Sequence, residues 1–85
     1  MDNWNLNLRI TKIIENINGL PKGDKQELTE FLEHDEWGIA LEHLCATVLE
    51  EEINISSELF YEIREVGEKI EIDCASWEEL KHLII

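Results

Sequence analysis

Positive charge is scarce in this sequence. Seven Lys and Arg stand against twenty Asp and Glu, for a net charge of −13. Such a field repels polyanions and anionic membranes and draws basic partners, which argues against a direct nucleic-acid binder. Cysteine is scarce too. Cys45 and Cys74 are too few for a disulfide scaffold, and each lies among apolar neighbours, so both are expected as buried free thiols in a reducing compartment. The four glycines build no phosphate-binding loop. No stretch reaches the ~20 apolar residues of a membrane span. The start, MDNWNLNLRITKII, lacks the basic opening and unbroken apolar run of a signal peptide. The expected location is the cytoplasm.

What is present is a chain of 85 residues, 44% of them hydrophobic, enough for a single domain over residues 1–85 with one core. The expected fold class is all-α, a small bundle of about five short helices. The first helix is predicted from Asn3 to Asn18, with Leu6, Ile10, Ile13, Ile14 and Ile17 on one face, and Gly19 and Pro21 as its stop. Asp24 and Glu27 have the spacing of a capping box, so the second helix is expected to begin at Asp24 and to bury Leu28, Phe31 and Leu32. In the third, Trp37, Leu41, Leu44, Cys45 and Val48 fall within about 60° of one direction when stepped at 100° per residue. That rotation would turn Glu52 inward, so the helix is expected to end near Glu51. Ile53 and Ile55 read as a short extended link. Ser56 or Ser57 caps a fourth helix with Leu59, Phe60, Ile63, Val66 and Ile70 inward. Ser76-Trp77-Glu78-Glu79 reads as a capping box opening a short last helix with Trp77, Leu80, Leu83 and Ile84. Ile70-Glu71-Ile72 alternates like a strand but has no evident partner.

Two features of the charge pattern stand out. Residues 26–63 hold eleven acids and no Lys or Arg, a one-signed block. The third helix also closes on Glu50-Glu51-Glu52, although the partial negative charge of a helix C-terminus disfavours acids by ~0.3–1 kcal/mol each.

Chemistry is harder to find. Glu33-His34-Asp35-Glu36, with Glu42 and His43 nearby, contains metal-ligand types. The first four are consecutive and point in different directions, whereas ligands on a helix share a face at i, i+3 or i+4 spacing. A polar helix end accounts for them better, and neither metal nor cofactor is expected. No carboxylate pair stands out as buried and differently tuned, and Cys45 on an apolar face makes a poor thiolate. The chain is therefore not expected to be an enzyme. The outward faces carry more. Opposite Leu41 lie Ile39, His43, Ala46 and Glu50; opposite Ile63 lie Glu58, Tyr61 and Glu65. An aromatic ring among acids fits a hot spot for a basic partner. The plain alternative is that another helix covers one of these faces, or that the acids only solubilise it. A surface serving solubility alone would interleave both signs.

EWGIALEHLC at Glu36–Cys45, ISSELFYEIREVGEKIEID at Ile55–Asp73 and SWEELKHLI at Ser76–Ile84 resemble the MafI family of bacterial immunity proteins. The resemblance covers about the last two-thirds of the chain. Its most specific parts are EWG-x-A-x-EHLC and I-S-x-E-x-x-x-x-I-x-x-x-G taken together. It implies a small acidic protein that neutralises a secreted polymorphic toxin, including those of contact-dependent growth inhibition, whose C-terminal domain is a nuclease such as an EndoU-type RNase. The partner-binding residues expected on this reading are Glu36, Ile39, His43, Glu50, Glu51, Glu52, Glu58, Tyr61, Glu62 and Glu65. The expected partner is the basic toxin domain, with no nucleic acid, membrane or small-molecule substrate. The rival reading is an acidic adaptor or anti-activator that sequesters a basic DNA-binding protein.

Overall fold

Residues 5–85 are described by a computed structural model. Among the described residues five helices follow one another: α1 (Leu6–Glu15), α2 (Lys22–Glu33), α3 (Trp37–Glu50), α4 (Ser57–Lys69) and α5 (Ala75–Glu78), the last running into a 3-10 turn at Glu79–Leu83. The all-α expectation holds. α3 is the axis of the bundle and touches every other element. Its Ala40, Leu41, Leu44 and Val48 are fully buried, and Ile10 and Ile13 of α1, Leu28 of α2, Ile63 and Val66 of α4, and Leu80 close over them. Trp37, expected on the same stripe, is only half-buried; its indole N–H donates to Asn7 of α1 instead.

The helix starts depart from expectation in two places. α2 begins at Lys22, not Asp24. Pro21 at φ −58° and ψ 145° turns the chain directly into the helix, so Asp24 falls in the first turn with no capping duty. The Ser76–Glu79 box does not form either. Asp73 Oδ1 accepts the Ala75 N–H at 3.0 Å, and the helix starts one residue before Ser76. Ser56 does cap α4, its Oγ accepting the Leu59 N–H at 3.0 Å. Asn5 does the same for α1, accepting from Leu8. The described part of α1 ends at Glu15 with Asn16 as its cap, three residues before Gly19, which sits at φ +102° in the following turn. Residues 1–4, where the expected first helix would begin, lie outside the described residues.

Three of the helix ends share one construction. After α2, Asp35 N–H donates to Leu32 and Glu36 N–H to Phe31; after α3, Glu52 donates to Leu49 and Ile53 to Val48; after α4, Glu71 donates to Glu68 and Ile72 to Gly67. This is the Schellman pattern, which places the residue after the cap in the left-handed region and usually fills it with glycine. Here it holds Asp35 at φ 57°, Glu52 at φ 52° and Glu71 at φ 62°. Ile70-Glu71-Ile72 is this turn and not a strand. The extended link is real: Ile53 and Ile55 are buried, and Ile55 forms an isolated parallel bridge with Ile84, with Ile55 N–H to Leu83 and Ile85 N–H to Ile55, both at 3.0 Å.

Several residues of the I-S-x-E-x-x-x-x-I-x-x-x-G segment have structural tasks in this fold. Ile55 makes the bridge, Ser56 caps α4 and Ile63 is core. Gly67 is bare because Trp77 lies across it: a Cβ there would run into the indole ring.

Candidate functional site: the acidic face of α4

α4 buries Phe60, Ile63, Val66 and Gly67, which leaves the opposite side of the helix to solvent. On that side Glu58, Tyr61, Glu62, Arg64, Glu65 and Glu68 line a shallow depression of ≈ 480 Å³. Tyr61 is 58% exposed and is the only exposed Phe, Trp or Tyr among the described residues. Its ring is braced edge-on by Phe60, with centroids 5.5 Å apart. An amphipathic ring held by the core and ringed by carboxylates can receive a cationic side chain, by cation–π contact and by charge.

The acids here are not all unpaired. Arg9 reaches across from α1, donating through Nε to Glu62 Oε1 at 3.0 Å and through Nη2 to Glu65 Oε1 at 2.7 Å. Partial desolvation works against the Arg9 charge, but the hydrogen bonds and charges of Glu62 and Glu65 outweigh it and raise the guanidinium pKa. Arg64 pairs with Glu68 at 3.3 Å along the helix. Of these paired acids only Glu62 belongs to the cation-free block of the sequence, and its cation comes from outside it, on α1.

The other expected partner-binding residues stand apart from this depression. Glu36 is the exposed cap residue of α3, and Ile39, 50% exposed, lies one turn further on. Glu50, Glu51 and Glu52 are exposed at the opposite end of α3, roughly 17 Å from Ile39 at 1.5 Å per residue. His43 is turned toward α2 and half-buried, with Nε2 3.0 Å from Asp24 Oδ1 and 3.5 Å from Glu27 Oε1. The ten residues therefore form several surfaces. The sequence reading missed Glu68 and Arg64, although Glu68 follows from stepping three residues beyond Glu65. It missed Arg9 because nothing local in the sequence announces a pair spanning 53 positions.

Cys45 is buried, as expected, and its thiol is pushed up to about 12, mainly by desolvation and further by the Glu42 carboxylate. It is a packing residue. Cys74 corrects the expectation of two buried thiols: it is exposed in the turn before α5, where the chain runs over the surface between the Asp73 cap and Ala75. A larger cleft of ≈ 670 Å³ lies between α1 and the α3–α4 link, lined by Lys12, Asn16, Asn54, Ser56 and Ile85 among others, with Arg9 at its edge already engaged by Glu62. No known protein family, curated protein or solved structure matches the chain. No helix among the described residues is long and apolar enough to cross a membrane.

Proposed function

We propose that this chain is an immunity protein of the MafI kind, which binds and inactivates a nuclease toxin domain, of EndoU type, without chemistry of its own. The observation that carries this reading is Tyr61, exposed and braced in a depression whose rim is mostly carboxylate. A nuclease holds polyanions, so its substrate groove is basic, and an acidic face can reach it quickly and occupy it. The net charge of −13 supplies the steering field. The working location is the cytoplasm, where a toxin entering the cell would be met.

The test is binding kinetics at two salt concentrations against the purified C-terminal domain of a candidate secreted toxin, an EndoU-type nuclease. Reversing Glu50, Glu51 and Glu52 to Lys lowers the association rate, and the wild-type rate falls steeply with salt. Tyr61→Ala instead speeds dissociation, with a loss of ~2 kcal/mol or more if the ring is a buried anchor. Reversing Glu78 and Glu79 is the control, since both lie outside the acidic block and Glu78 already pairs with Lys81 at 3.0 Å. Wild-type affinity in both the triple reversal and Tyr61→Ala, with loss in the control, would overturn the reading. Capture of a basic DNA-binding protein in place of the toxin domain would favour the adaptor.

A further inference from the structure

Away from the α4 face, three ligand-bearing side chains converge on the seam between α2 and α3. Asp24 and Glu27 stand one turn apart on α2, and His43 projects from the middle of α3 between them. Their ligating atoms all lie within 4.8 Å of one another. The His43 Nε2 to Asp24 and Glu27 separations are 3.0 and 3.5 Å. A tetrahedral zinc ion with bonds of ~2.0–2.1 Å holds its ligand atoms roughly 3.3 Å apart. The three groups can therefore meet one ion by small side-chain rotations, with the helices left where they are.

The surroundings can take an ion as well as a simple hydrogen bond. A bond from Nε2 to Asp24 engages one carboxylate only, and Glu27 Oε1, on a side chain 59% exposed to water, stands 3.5 Å from the same nitrogen. No Lys or Arg among the described residues pairs with either carboxylate, so two negative groups share the site with one imidazole. The ring is already aimed: it packs against Phe31 of α2 with centroids 5.9 Å apart, and the residue is half-buried. Glu27 lies at the exposed rim, which leaves the fourth direction open to water.

We propose that Asp24, Glu27 and His43 form a zinc(II) site that clasps α2 to α3, with water completing the tetrahedron. The metal takes the lone pair of Nε2, and the ring keeps its proton on Nδ1. An imidazolium releases its Nε2 proton to solvent on binding, and a neutral ring moves that proton to Nδ1. The two carboxylates neutralise the ion. Its role is structural, so toxin association is independent of it, and failure of one idea leaves the other standing.

The experiment is calorimetric titration of zinc chloride into EDTA-stripped, dialysed protein in a non-chelating buffer, beside melting curves with and without zinc and the visible spectrum with cobalt(II). Expected are one saturable site, a zinc-dependent rise in melting temperature, and the intense visible bands of a tetrahedral cobalt site. His43→Gln, which keeps a hydrogen bond to Asp24, and Asp24→Asn each weaken binding about tenfold or more and abolish the bands. Variants His34→Ala, His82→Ala and Cys74→Ala bind as wild type does. Absence of saturable binding overturns the proposal. So does equal binding by folded His43→Gln, or an equal loss in any of the three controls.

Discussion

Replacing Glu52 by glycine should make the protein more stable, and replacing its neighbour Glu51 should not. Glu52 sits at φ 52°, whereas Glu51 is an ordinary right-handed cap at φ −85°. A non-glycine residue in the left-handed region costs ~1–2 kcal/mol, which glycine avoids. Removing a carboxylate from a helix C-terminus adds ~0.3 kcal/mol or a little more at this exposed position. Against this, glycine loosens the unfolded chain at a cost of ~0.4–1 kcal/mol. The net is about 1 kcal/mol in favour of Glu52→Gly, or a rise of about 4–8 °C in Tm for a domain of this size. Glu51→Gly gains the same small charge benefit but places glycine where other residues are at ease, costing ~0.5–1 kcal/mol. The charge effect is common to both, so the difference between the two isolates the backbone. Urea unfolding followed by circular dichroism measures it. Equal stabilities for the two variants would mean that the turn after α3 is not the one described.

Gly67→Ala should destabilise by ~1–3 kcal/mol despite alanine's better helix propensity, because the new methyl meets the Trp77 ring; pairing it with Trp77→Leu in a double-mutant cycle should recover part of the loss. Leu41→Ala, at the fully buried centre of α3, should cost ~2–5 kcal/mol by urea titration. Cys74 should be alkylated readily in the native protein while Cys45 resists, read by intact mass after iodoacetamide at mildly alkaline pH. The native state holds the Cys45 proton more tightly than the unfolded chain, whose thiol titrates near 9.0, so this residue leaves stability untouched below that pH and lowers it as pH rises toward about 12; a Cys45→Ala variant should lack that alkaline component.

The helix faces were legible in the sequence because burial here follows the 3.6-residue period: each of Ile10, Ile13, Leu28, Leu41, Leu44, Ile63 and Val66 falls where the stripe puts it. The caps were less so. Asp24 looked like an N-cap because its spacing to Glu27 matches one, yet Pro21 had already set the backbone into the helix. Ser76 lost its role to Asp73 for the same kind of reason, a competing acceptor three residues earlier in the turn. Apolar neighbours in sequence make Cys74 look buried, yet the turn before α5 carries it to the surface. At the candidate site, Tyr61 and its acids could be read from one helix face. The Arg9 pairs and the meeting of His43 with Asp24 could not, since both depend on which helices lie side by side.

The Ile55–Ile84 bridge ties two distant points of the chain into a ring of about thirty residues, and the length-dependent part of closing such a loop is about 3 kcal/mol. Burial of Trp77 and Leu80 inside that ring is the natural counterweight. The amides of Ile55 and Ile85 donate across the closure, so their hydrogen exchange reads its opening directly. A long loop whose closure is held by two hydrogen bonds is a place for sub-global opening. Exchange at these two amides should therefore be faster than at Leu44 or Val48, and should accelerate together when Trp77 is shortened.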